Sequence, residues 1–271
     1  RIIELKKIRL AKSKQETPLA EMRARATDVR SKSQTHRLLA ALSKDGVNII
    51  AEIKRASPSK GLIRGDIDAA TVARAYEAGG AAAISILTEE DHFQGSLDDL
   101  RVVRHAVNLP LLRKDFIFDE YQVYESAAAG ADALLLITAA LDDGTLARLR
   151  RITEDELGMN ALVEVHSADE MKRAVKFGAR IIGVNNRGLR TFTVSLETSV
   201  QLAPIAPNEI ALISESGIES AEDIHRLRML GYRGFLIGES LMRADDPEIA
   251  LRGFTQRREG AEEVGVNEWS E

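Results

Sequence analysis

The chain is 271 residues long, 44% hydrophobic and 29% charged, with a net charge of −5 and no cysteine. That composition is ordinary for a soluble globular protein. It excludes disulfides, thiolate catalysis and cysteine-based metal sites, and no apolar run approaches the roughly 18 residues needed to span a membrane. No basic start followed by an apolar core marks a secretory leader, so the expectation is a cytoplasmic protein. The charge is uneven: Arg1–Arg37 carries eleven Lys/Arg against four Asp/Glu, a surplus of +7, which leaves the remainder at −12. A basic arm on an acidic body is one pattern of nucleic-acid binding. Here no aromatics interleave with the cations, which fall on a helical pattern. The expectation is a solvated helix near an anionic ligand, with neither nucleic acid nor membrane as partner.

Ile2–Ser43 reads as helix with a break. Ile3, Leu5, Ile8 and Leu10 form an apolar stripe, and Pro18 opens a second segment carrying Leu19 and Met22. Beyond Val47 one theme repeats: a short apolar run, a polar turn, an amphipathic helix. The runs are Asn48–Lys54, Ala82–Leu87, Pro110–Lys114, Ala133–Thr138, Asn160–His166, Arg180–Asn185, Glu209–Ser214 and Gly234–Gly238. The helices are Ala69–Ala78, Leu97–Ala106, Glu120–Ala129, Thr145–Thr153, Ala168–Phe177, Leu196–Leu202, Ala221–Leu230 and Pro247–Phe254. Asp68, Ser96, Ser167 and Ser220 are placed to cap helix starts, and Gly79, Gly130, Gly178 and Gly231 to end helices. Strands apolar on both faces, such as Ala133–Ile137, belong to a parallel sheet covered by helices. Eight such units in about 210 residues point to an α/β fold, a single-domain (β/α)8 TIM barrel with an N-terminal helical extension. The alternative, an open doubly wound sheet, usually has a glycine-rich G-x-G-x-x-G turn after its first strand, and none is present. The expected boundaries are residues 1–46 for the extension packed on the barrel, 47–258 for the barrel and 259–271 for a polar tail that frays.

Barrel chemistry sits at the C-terminal ends of the strands. Strand 1 ends in Glu52, Lys54 and Ser57, and strand 3 in Arg113, Lys114, Asp115 and Phe116. Strand 5 carries Glu164 two residues before His166, with Glu164 sharing the parity of Leu162. Strand 6 ends in Asn185, Asn186 and Arg187. Strands 7 and 8 end in the small, glycine-bearing segments Ser214-Glu215-Ser216-Gly217 and Gly238-Glu239-Ser240. These last two predict a phosphate cradle; the bland alternative is helix capping by Ser216 and Ser240. Lys54, Lys114, Glu52, Glu164 and Arg187 meet at one barrel mouth, where Lys and Glu can shift each other's pKa and act as acid and base. The alternative is a structural ion-pair network. His36, His92, His105, His166 and His225 are scattered and no metal spacing is seen.

The stretch IIAEIKRASPSKG (Ile49–Gly61) closely resembles the signature of the indole-3-glycerol phosphate synthase family. LLRKDFI, ALVEVH, IGVNNR, SESGI and FLIGESLM resemble the family's other strand ends, in order, and DHFQGSLDDL its loop after strand 2. The resemblance implies ring closure of 1-(2-carboxyphenylamino)-1-deoxyribulose 5-phosphate in tryptophan biosynthesis, with loss of carbon dioxide and water, and no metal or organic cofactor. By motif, Lys114 is the acid at the substrate ketone. Glu164 and Glu52 serve proton transfers in the dehydration, and Lys54 is paired with Glu52 near the substrate carboxylate. Asn185 holds a hydroxyl. Arg187, Phe116, Leu189 and Glu215 bind substrate, with Arg187 near the carboxylate and Phe116 and Leu189 walling the ring pocket. Ser57, Ser216, Gly217, Gly238 and Glu239 hold the phosphate. The basic arm, lying over the mouth, is expected to steer the anionic substrate, and association with other tryptophan-pathway enzymes is a further expectation. Gly188 stands where the family usually has Asn or Asp, which predicts a more mobile loop after strand 6. The competing readings are phosphoribosylanthranilate isomerase, which lacks the Glu-x-Lys of strand 1 and usually uses a cysteine, and a non-catalytic barrel that binds a phosphorylated ligand.

Overall fold

The computed structural model describes residues 2–188 and 191–255; the expected polar tail and Leu189 lie outside them. Eight parallel strands among these residues close on themselves: β1 (Ile49–Ile53), β2 (Ala83–Leu87), β3 (Leu111–Lys114), β4 (Ala133–Ile137), β5 (Asn160–Val165), β6 (Ile181–Asn185), β7 (Ala211–Glu215) and β8 (Tyr232–Ile237). Each pairs with its sequence neighbours, and β1 closes the ring on β8 through Ile49–Ala51 against Phe235–Ile237. All eight apolar runs are strands, within about two residues of the expected ends.

The extension is three helices, α1 (Ile2–Glu16), α2 (Leu19–Ser31) and α3 (Arg37–Leu42). The barrel helices are α4 (Ala69–Ala78), α5 (Leu97–Ala106), α6 (Glu120–Ala128), α7 (Asp143–Arg151), α8 (Ala168–Lys176), α9 (Glu197–Leu202), α10 (Ala221–Met229), α11 (Glu239–Arg243) and α12 (Pro247–Thr255). Asp68, Ser96, Ser167 and Ser220 cap their helices with side-chain oxygens as expected. Asp119 and Asp142 do the same without having been singled out. Gly130, Gly178 and Gly231 take positive φ at helix ends, whereas Gly79 stays right-handed and its neighbour Gly80 makes the left-handed turn.

Strand parity builds the site. Ile50, Leu112, Leu162 and Ile213 point into the barrel and pack there with Leu38 and Leu42 of α3, which plugs the floor. Two residues further along the same strands come Glu52, Lys114, Glu164 and Glu215, on the same inner face one layer higher. The sequence therefore switches from apolar to charged within each strand at a common height, and the top of the barrel becomes polar while its base stays dry.

The apolar stripe expected on α1 faces the barrel in part: Leu10 packs against the core and Ile3 and Leu5 are half-buried. Ile8 is 70% exposed, and the buried residue is Lys6, whose Nζ lies 2.7 Å from Asp115 Oδ2. Asp115 points outward behind β3 and also accepts from Arg113 at 3.1 Å and Thr88 Oγ1 at 2.6 Å. A buried anion thus docks α1 through a cation, beside the contact of Leu10 with the core. Two further cations of α1 do the same: Arg9 reaches Glu90 at 2.8 Å and Asp91 at 2.6 Å, and Lys14 reaches Asp119 at 2.8 Å. These charges hold the extension to the acidic body, which removes part of the free positive field expected to steer an anion.

Candidate active site

At the mouth, Lys114 Nζ is bonded to Glu215 Oε2 and stands 3.5 Å from Glu164 Oε2. Lys54 Nζ donates to Glu52 Oε1 at 2.7 Å. Side-chain exposure is 1–5% for the three carboxylates and 13–17% for the two lysines, so the cations face the cavity and the anions lie beneath. Two glycines make room for this. A Cβ at Gly183 would fall 2.0 Å from Glu215 Oε1, and one at Gly238 would fall 2.6 Å from Glu52 Oε1. Any side chain at either position would displace a carboxylate, which ties each glycine to an acid on a neighbouring strand.

Three carboxylates around Lys114 set the electrostatics. Burial opposes charge on Lys114, but Glu215, Glu164 and Glu52 outweigh it and hold the ammonium above the usual lysine range. Burial likewise opposes the Glu52 carboxylate, yet Lys54 and Lys114 keep it below the ordinary range. Glu215 is the loser of the competition: burial, with Glu164 and Glu52 nearby, pushes it up to about 7 despite its bond to Lys114. Its Oε1 is buried without a hydrogen-bond partner among the described residues, which favours a protonated oxygen there. The site therefore holds a firmly charged lysine beside an acid that changes protonation near neutrality.

A cavity of about 420 Å³ opens above this cluster, lined by Glu52, Lys54, Lys114, Glu164, Asn185 and Arg187 among others. Phe116 and Glu215 border it too, so every site residue expected at strands 1, 3, 5 and 6 meets in one place, save the undescribed Leu189. Its wall also contains residues the motifs did not single out, including Ile2, Phe93, Leu135, Ile137 and Phe192. Leu135 and Ile137 share a parity on β4, and that signal was readable. Ile2 comes from α1, and the docking of that helix on the barrel brings it there. A connected hollow of about 660 Å³ shares Lys54 and Arg187 and reaches Ser216, Gly217, Gly238 and Glu239. Ser57 borders the first cavity, on a two-residue ladder in which Ala56–Ser57 pairs with Gly61–Leu62.

Neither Ser216 nor Ser240 caps a helix: Ser220 caps α10 and Gly238 precedes α11. Ser216 and Gly217 are both left-handed, at φ 68° and 77°, and a Cβ at Gly217 would meet Val194 Cγ1 at 2.5 Å. Successive amides in such a turn make a concave donor set suited to an anion. Asn186 holds the turn, donating to Ser214 Oγ at 2.9 Å and to the Ser216 carbonyl at 3.0 Å. After β6, the Gly188 amide donates to the Thr193 carbonyl and Phe192 N–H to the Gly188 carbonyl, both at 2.9 Å, and Arg187 pairs with Val194. No group of three or more potential metal ligands occurs among the described residues, and none of their helices is long and apolar enough to cross a membrane.

The profile of a family described as indole-3-glycerol phosphate synthase matches residues 1–254. The chain belongs to that family. A relative so named from Carboxydothermus hydrogenoformans is 48% identical over 256 residues, covering 93% of this chain and 97% of the relative. One from Koribacter versatilis is 53% identical over 207 residues, covering 76% and 79%. Solved structures similar in shape include 3-hexulose-6-phosphate synthase from Salmonella typhimurium, with a TM-score of 0.63 at 13% identity over 77% of this chain and 97% of that one. Thiamine phosphate pyrophosphorylase from Pyrococcus furiosus gives 0.58 at 17% identity over 77% and 93%. These structural matches speak for the barrel alone.

Proposed function

We propose that this chain performs the indole-3-glycerol phosphate synthase reaction, a carboxy-lyase step of tryptophan biosynthesis, with Lys114 as the general acid. The observation that carries this role is Lys114 Nζ at the cavity floor, charged and flanked by Glu215 and Glu164. The substrate's aromatic carbon bearing the carboxylate attacks the ketone carbon of the sugar chain, and Lys114 gives its proton to the ketone oxygen as that bond forms. Carbon dioxide then leaves the ring carbon, and its electron pair restores aromaticity. In the dehydration, the new hydroxyl departs as water with a proton from Lys54, while Glu164 accepts the proton released from the adjacent ring carbon. Glu52 holds Lys54 in place through their hydrogen bond, and Glu215, protonating near neutrality, relaxes its hold on Lys114 as that lysine turns to the ketone.

Binding follows the two cavities. The phosphate lies against the amides of Ser216, Gly217, Gly238 and Glu239 with Ser57, far enough from Lys114 to anchor the reacting end without joining the chemistry. The substrate carboxylate faces Arg187 and Lys54, and Asn185 meets a hydroxyl. Phe116 and the apolar wall cover the ring, and excluding water there favours departure of carbon dioxide. Incubation with 1-(2-carboxyphenylamino)-1-deoxyribulose 5-phosphate should produce indole absorbance and fluorescence. Lys114→Ala should lower turnover about 10²–10⁴-fold while binding of a reduced, unreactive substrate analogue persists. Near-normal turnover in that variant would remove Lys114 from the acid role.

A further inference from the structure

His166 follows β5 and faces Glu164. Its Nε2 is 3.5 Å from Glu164 Oε1, and its Nδ1 is 3.4 Å from Glu170 Oε2 on α8. The same Glu170 oxygen accepts the His166 backbone N–H at 2.7 Å, which fixes the loop between β5 and α8. Both ring nitrogens are shut off from water, and neither makes a close hydrogen bond among the described residues. The two oxygens of buried Glu164 are thus addressed by different bases, Oε2 by Lys114 and Oε1 by His166. The charged groups around the ring are Glu164 on its own strand, Glu170 on α8 and Glu215 across the barrel on β7; all three are carboxylates, and they favour the imidazolium over the opposing effect of burial.

We propose that His166 is a positioning residue for Glu164, a second partner that holds that carboxylate in place when Lys114 gives its proton to the substrate. This rests on the reading of Glu164 as proton acceptor and Lys114 as acid. Once Lys114 has given its proton to the ketone it no longer presents a positive charge to Glu164, and a buried carboxylate left without a cation is costly. His166 supplies the second cation from the side away from the ketone, with Glu170 as its own counter-charge.

The test is the pH dependence of kcat for His166→Asn and Glu170→Gln, beside Glu164→Gln. Where the wild-type imidazolium is present, near pH 6, His166→Asn should be slower by about tenfold or more. The difference should shrink as pH rises through the raised value of the wild-type imidazole, where that ring loses its proton too. The acid limb therefore moves up by about one unit or more. Glu170→Gln keeps the imidazole but weakens its charge, and should move the same limb in the same direction by less. KM should stay close to wild type. An equal loss at every pH, or an unmoved acid limb in both variants, would overturn the role of His166 while leaving the proposed reaction intact. Near-normal turnover in Glu164→Gln would instead overturn the underlying assignment of Glu164.

Discussion

The two ends of the barrel each carry a buried ion cluster, and the clusters are opposites. At the floor one carboxylate, Asp132, is held by Arg37 at 2.9 Å, Arg104 at 2.8 Å and Arg30 at 3.6 Å, with the Leu111 amide at 3.0 Å. At the mouth one ammonium, Lys114, is shared by Glu215, Glu164 and, at longer range, Glu52. Guanidinium does not release its proton and grips carboxylates with fixed geometry, so the floor is built to hold. Ammonium and carboxylate can both exchange protons, and at the mouth they compete for too few partners. The floor cluster stitches α2, α3 and α5 to the barrel; the mouth cluster opens onto a cavity. Saturated pairing gives stability, and unsaturated pairing gives groups ready to react.

That contrast can be broken by substitution at either end. Asp132→Asn leaves buried guanidiniums without their anion and should cost about 3–5 kcal/mol of stability, read from urea unfolding, while the folded fraction keeps near wild-type kcat. A large loss of kcat with unchanged stability would reverse the assignment of the two ends. A smaller effect concerns pH. Glu215 binds its proton more tightly folded than unfolded, so its contribution to stability is complete below the ordinary glutamate value of 4.5 and is lost as pH rises through about 7. Glu215→Gln should flatten the fall in unfolding midpoint across that window, and an unchanged slope would refute the raised value. The smallest change should come from Lys14→Ala. The Lys14–Asp119 pair is 40% and 28% exposed, and its loss should cost less than about 1 kcal/mol in the same unfolding experiment.

The fold was legible because its signals are local. Doubly apolar runs, serine and aspartate caps and left-handed glycines each announce an element within a few residues. The mouth was legible by parity: Glu52, Lys114 and Glu164 each stand two residues beyond an inward apolar side chain, and this turns a strand assignment into a direction. What escaped is pairwise across the fold. Lys6 looks like one more solvated cation on α1 until Asp115, far along the chain, is placed beneath it. Gly183 and Gly238 look like ordinary strand and turn glycines until the carboxylates that fill their space arrive from β7 and β1. His166 was passed over beside the better-placed Glu164, since its second partner, Glu170, lies on the next helix.

In the proposed reaction the mouth needs a releasable proton at Lys114 and not merely a positive charge. Lys114→Arg separates the two, because arginine keeps the charge and the carboxylate partners but does not give up its proton. Single-turnover assays of this variant, with unfolding midpoints measured alongside, should show a folded protein of near wild-type stability whose ring-closure rate falls about 10²–10⁴-fold. Ring closure at close to the wild-type rate in Lys114→Arg would contradict the account.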